Sequence, residues 1–160
     1  MRSQWITVCC AVLFMVLLAG SGVSWAADGA GDVKNQWQVA TEPGEPWPSY
    51  WLTNKDHPEL KQEMFLAGPI AGDRPWISDV VEADKARGIY LIVYYAGQPG
   101  THELVDVYYA LIYDNRNHRI LGHYPYSRKS LRGDYSPQWH FETRRIRIVD
   151  EGEDLAVINY

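Results

Sequence analysis

The 160-residue chain carries 15 Lys and Arg against 20 Asp and Glu, a formal net charge of −5. That balance argues against wholesale nucleic-acid binding, which calls for a basic surface. With 46 % hydrophobic residues, 13 % aromatic residues and 2 cysteines, the chain has the length for one well-filled core and lacks the thiols of a disulfide scaffold.

Residues 1–26 read as a secretory signal peptide. Arg2 supplies the positive start, Trp5 to Leu18 is almost unbroken apolar sequence, and Ser24-Trp25-Ala26 offers small residues at the −3 and −1 positions. The apolar run falls short of the about 20 residues of a membrane span, so cleavage after Ala26 is favoured over a retained anchor, with no stable membrane insertion afterwards. Both cysteines, Cys9 and Cys10, lie inside this run, so the mature chain is cysteine-free. The expected location is periplasmic or secreted.

Ala27 to Lys34 is small and polar and is expected to be disordered, ahead of a single β-rich domain over 35–160. Gln36 to Ala40 opens a first strand. Thr41 to Ser49 holds three prolines, which forbid helix and leave few ladder donors. Trp47, Tyr50 and Trp51 follow closely, as a lid on the core or as a shelf for a ligand. Asp56 to Ala67 offers the best helix, over about 57–67. Asp56 and Glu59 form an Asp-x-x-Glu capping pattern, Leu60 and Met64 line one face, and Gly68-Pro69 ends it.

From Pro75 onward the pattern is β. Pro75 to Val81 and the doubly apolar Ile89 to Ala96 are strands, the second covered on both faces. Gly97-Gln98-Pro99-Gly100 turns the chain into Glu103 to Tyr113, with Val105, Val107, Tyr109 and Leu111 on one face. Asp114 to Asn117 is a turn leading to a hairpin partner over Arg119 to Tyr124. Gln138 to Val149 reads as one long strand. Trp139 and Phe141 are out of phase with Ile146 and Ile148, which predicts a bulge near Glu142 to Arg145. An acidic turn, Glu151-Gly152-Glu153, precedes a closing strand over Leu155 to Ile158. The fold class is therefore all-β or β-rich α+β: an antiparallel meander forming a curved sheet or small barrel, with one short helix.

No catalytic motif stands out. His102-Glu103-Leu104-Val105-Asp106 lacks the second histidine of a zinc-protease helix and lies in a strand. His118 and His123 are separated by an odd number, so on one regular strand they face opposite sides; His140 could meet either across the sheet, but nothing in the sequence demands it, and no metal and no cofactor is expected. Glu59, Glu63, Asp79 and Asp84 read as solvated acids. No serine elbow appears, and the mature chain has no thiol nucleophile.

Charge is segregated. Ala27 to Asp114 holds six Lys/Arg against fourteen Asp/Glu, whereas Asn115 to Val149 holds eight against two. The basic stretch is either a patch for an anionic partner or is neutralised by acidic strands within the fold. Within it, Ser127 to Pro137 (SRKSLRGDYSP) is a basic loop between strands. Its Ser130-x-x-Gly133-x-Tyr135 pattern resembles the Ser-Gly…Tyr loops with which small periplasmic lysozyme inhibitors enter an enzyme cleft. The likeness covers six residues, and Ser130 is not followed by glycine.

The sequence thus points to an exported, non-catalytic binding protein with a protein partner, in its sharper form an inhibitor of, or immunity protein against, a cell-envelope hydrolase. Arg132, Tyr135, Trp139, Arg128 and Lys129 are the contact residues. The alternatives are a small-ligand carrier using Trp47, Tyr50 and Trp51, and an enzyme whose groups the sequence does not pair.

Overall fold

The computed structural model describes residues 29–68, 74–99 and 105–160. They form one helix, α1 (Gly29–Gln36), and ten strands: β1 (Trp37–Glu42), β2 (Ser49–Asn54), β3 (Lys61–Glu63), β4 (Ile77–Asp84), β5 (Ile89–Gly97), β6 (Val105–Asp114), β7 (Arg119–Ser130), β8 (Gln138–Glu142), β9 (Arg145–Asp150) and β10 (Glu153–Asn159). Three antiparallel sheets result, ordered β1-β2-β3, β4-β5-β6-β7 and β10-β9-β8. Every hydrogen-bonded neighbour is also the neighbour in sequence, so each sheet is a meander. The fold is β-rich with a single short helix, and no closed barrel forms among the described residues.

The four-stranded sheet lies at the centre because both of its faces are apolar. All nine residues of β5 are buried. A strand sends alternate side chains to opposite faces, so Tyr90, Ile92, Tyr94 and Ala96 enter one core and Ile89, Leu91 and Val93 enter another. Val107, Leu111 and Tyr113 of β6 join the first core; Ala110 and Ile112 join the second. The first core is closed by Val33 of α1, Trp37, Leu52 and Met64. The second is closed by Ile146 and Ile148 of β9 and Ile158 of β10.

Three local expectations are corrected. The helix over 57–67 does not form. Asn54 Oδ1 accepts the backbone N–H groups of Asp56 (2.9 Å) and His57 (3.0 Å), and Asn54 N–H donates to Leu60 O at 3.1 Å, which closes a loop. The chain then pairs as β3 with Trp51–Thr53 of β2. Leu60 and Met64 are four residues apart, a spacing that suits one helix face but is also a multiple of the strand period. The segment expected to be disordered, 27–34, contains most of α1; a single apolar side chain, Val33, is 1 % exposed and anchors it against Tyr90 and its neighbours. The long strand over 138–149 is a hairpin rather than a bulged strand. Thr143 and Arg144 form its two-residue turn, with Arg144 at φ 60°. Chain reversal sets Trp139 opposite Ile148 and Phe141 opposite Ile146, so the phase shift in the sequence marks a fold-back.

The acidic turn between β9 and β10 forms as expected. Glu151 (φ 49°) and Gly152 (φ 87°) are both left-handed, as a type I′ hairpin turn requires. The β6–β7 turn is organised by Asp114, which is 2 % exposed. Its carboxylate accepts from Asn117 N–H (3.1 Å), Asn117 Nδ2 (2.8 Å) and Arg119 Nε (3.0 Å). Burial alone would raise its pKa, but the hydrogen bonds from Asn117 and Arg119 outweigh it and hold the group below its usual value.

Candidate functional site

The β7–β8 connection is a self-braced finger. Arg128 and Tyr135 exchange both backbone hydrogen bonds, at 2.7 and 2.8 Å. Ser130 Oγ donates to Gly133 O (2.8 Å) and accepts from Arg132 N–H (3.3 Å), while Gly133 N–H donates to Ser130 O (3.2 Å). Gly133 sits at φ 133°, a conformation side-chain-bearing residues avoid. Leu131, held at this tip, is 90 % exposed, and Tyr135 is 42 % exposed. Lys129 Nζ lies 5.3 Å from the Tyr108 ring centre.

Of the five residues expected to bind, Arg128, Lys129, Arg132 and Tyr135 belong to this finger. Trp139 does not reach the tip. It is half-buried in β8, 5.8 Å from Tyr126 and 6.4 Å from Phe141 between ring centres. With Val81, Leu91, Tyr126, Pro137 and Phe141 it walls an apolar groove of about 180 Å³ beside the finger. Its buried Nε1 has no hydrogen-bond partner among the described residues. The sequence reading missed Leu131, because an apolar residue inside a polar loop carries no periodic signal, and it took Phe141 only as a strand residue, since its half-exposure on β8 depends on the fold.

Part of the basic stretch is neutralised within the fold. Arg119 pairs with Asp114 at 3.0 Å, Arg145 pairs with Glu142, and Arg147 pairs with Asp154 at 2.8 Å. Arg128 and Lys129 are consecutive on β7, so they send their side chains to opposite faces, Lys129 toward the Tyr108 ring and across from Asp106 of β6, while Arg132 and Asp134 share the turn beyond.

The trio Trp47, Tyr50 and Trp51 is divided. Trp47 is 75 % exposed in the proline-rich loop. Trp51 follows Tyr50 on β2, so it faces the other way, with Lys61 Nζ 4.3 Å from its ring centre. Tyr50 packs on the first core and, with Pro48, Met64, Phe65, Leu66 and His123, lines an open cleft of about 460 Å³.

At this cleft lies a pair that sequence reasoning did not find. His123 Nε2 is 2.6 Å from the Tyr94 hydroxyl, which also accepts the Phe65 N–H at 2.8 Å. The phenol proton has two acceptors in reach, His123 Nε2 at 2.6 Å and Phe65 O at 3.5 Å, and the much shorter contact assigns it to Nε2. The imidazole is then neutral, with its proton on Nδ1. Burial agrees with this state, pushing the His123 pKa down to about 4 and raising that of Tyr94. The signal was Leu111–His123 pairing across β6 and β7, which puts His123 on the same face as Tyr94; only the register reveals it.

A histidine held neutral in the fold makes stability pH-dependent. Between its unfolded value near 6.5 and about 4, the unfolded chain binds the extra proton and the native chain does not. Stability is therefore expected to fall as pH drops through this window, by at most about 1.4 kcal/mol per pH unit from this group. Denaturant melts from pH 7 to 4 should show a shallower fall in a His123→Phe variant; parallel curves would contradict the assignment.

The other histidines are apart. His57 and His118 stack at 3.9 Å between ring centres, and His57 Nδ1 is 3.2 Å from Glu59 Oε1. His140 is exposed on β8 opposite Arg147, and His102 lies outside the described residues, as do residues 1–26. No group of three or more His, Cys, Asp or Glu is placed to hold a metal among the described residues. Asp84, expected to be solvated, is partly covered and accepts from Arg87 (2.8 Å) and the Tyr160 hydroxyl (3.3 Å).

No protein-family model, curated protein or solved structure matches this chain. The functional reading therefore rests on its own residues.

Proposed function

We propose that this chain is an exported, non-catalytic binding protein that engages a protein partner through the β7–β8 finger, and that the partner is a cell-envelope hydrolase. The observation that carries the reading is the tip itself. An apolar side chain, Leu131, is 90 % exposed on a loop braced by its own hydrogen bonds. A single exposed leucine is unremarkable on a flexible loop. On a braced one it is presented at little ordering cost, which favours affinity. The segment 128–135 carries Arg128, Lys129 and Arg132 against one acid, Asp134, a positive balance that suits an acidic cleft, the kind of site that carries paired carboxylates in glycan hydrolases. The groove walled by Trp139 and Phe141 adds adjoining apolar area. The exported location rests on residues 1–26.

The test is capture from envelope extract on immobilised residues 27–160, beside an Arg132→Ala/Tyr135→Ala control. The expected result is a hydrolase retained by the native finger, lost from the control, and inhibited by the free chain. Identical retention on both columns, or none on either, would overturn the reading. These changes leave the Arg128–Tyr135 backbone pairing in place, so the two melting temperatures should agree closely.

A further inference from the structure

We propose that the cleft between β2–β3 and β7 is a second binding site, for a small neutral molecule that joins an apolar body to a carbonyl or amide oxygen. His123 is what gives this cleft chemistry. Its Nε2 is occupied by the Tyr94 hydroxyl, and that hydroxyl is fixed in turn by Phe65 N–H. The Nδ1–H that remains has no acceptor among the described residues, and the ring lines the cleft. A neutral imidazole in one tautomer, with one donor left over, is a directional group seeking an acceptor oxygen.

The walls define the rest of the ligand. Pro48, Tyr50, Met64, Phe65 and Leu66 form the apolar part of the wall, suited to an aromatic or branched body, and Ser49 and Gln62 form part of the polar remainder, suited to the ligand's polar end. Phe65 is 51 % exposed and its ring lies 4.8 Å from that of Tyr109, so a flat ligand could extend an aromatic stack already begun. Glu63 also lines the cleft. Its charge opposes an anion, which makes a neutral carbonyl the better acceptor than a carboxylate. None of the residues lining this cleft belongs to the finger, and the proposal is independent of the protein-partner reading.

Benzamide is the probe, with benzoate as its anionic counterpart. In the folded full-length domain with ¹⁵N-labelled histidine, rising benzamide should shift the His123 Nδ1 resonance saturably while leaving His140 in place. His123→Phe keeps the ring and removes the donor; it should weaken benzamide by about fivefold, the worth of one net hydrogen bond. Benzoate should bind more weakly than benzamide, and the Arg132→Ala/Tyr135→Ala chain should bind benzamide as tightly as wild type. Should His123→Phe fail to fold, Tyr50→Ala removes a cleft wall instead and should weaken benzamide severalfold. The proposal is overturned if His123 shows no saturable shift up to the solubility of benzamide. Equal affinity in the folded variant and wild type would overturn it as well.

Discussion

Leu111→Ala and Ile112→Ala will each lower the unfolding free energy by about 2–5 kcal/mol. The two residues are adjacent, and in a sheet with one solvated face only one of them would matter. Here both are fully buried, Leu111 against Tyr94 and its neighbours and Ile112 among Ile146, Ile148 and Ile158. Against a total stability of about 5–15 kcal/mol, either loss is large. Since the two side chains enter different cores, the double variant should lose close to the sum. Denaturant midpoints at constant slope are the measurement. A cost below about 1 kcal/mol at either residue would mean that its face of the central sheet is not covered.

Leu131→Asp and Tyr135→Ala will each weaken partner binding by about thirtyfold or more, the scale of an interface hot spot of about 2 kcal/mol. Stability should change by no more than about 0.5 kcal/mol, because neither side chain closes a core. Arg128→Ala and Lys129→Ala should act differently. Charges at an interface rim mainly steer encounter, so these changes should lower the association rate and flatten its dependence on salt. Surface-plasmon kinetics at two ionic strengths separate the two classes. If the charge variants slow association and the Leu131 and Tyr135 variants leave dissociation unchanged, the tip is not the anchor.

The central sheet was legible in the sequence because its signals are long and doubly apolar. Ile89 to Ala96, apolar on both faces and rich in β-branched and aromatic residues, reads as a strand covered twice, and the reversal before β10 follows from an acidic Gly turn. The misread elements share a physical cause: a short pattern compatible with two periods. Leu60 and Met64 satisfy a helix and a strand equally, and the loop closed by Asn54 decides for the strand. Val33 alone gives no period at all, yet its burial fixes α1. At 138–149 the phase shift was seen correctly, but a bulge and a two-residue reversal leave the same trace in one dimension. The finger was found from composition, since Ser, Gly and basic residues mark a loop; its bracing by Ser130 and the Arg128–Tyr135 pair is visible only in three dimensions. The Tyr94–His123 pair could not be read at all, because it depends on register across β5, β6 and β7.

The most direct test of the finger is inhibition. Once a hydrolase is captured, its lysis of cell-wall suspensions is titrated with the native chain and with the Leu131→Asp/Tyr135→Ala chain. The account expects stoichiometric loss of lysis with the native chain and full lysis with the variant at the same concentration. Equal inhibition by both chains, with both folded, would contradict it and place the contact elsewhere on the molecule.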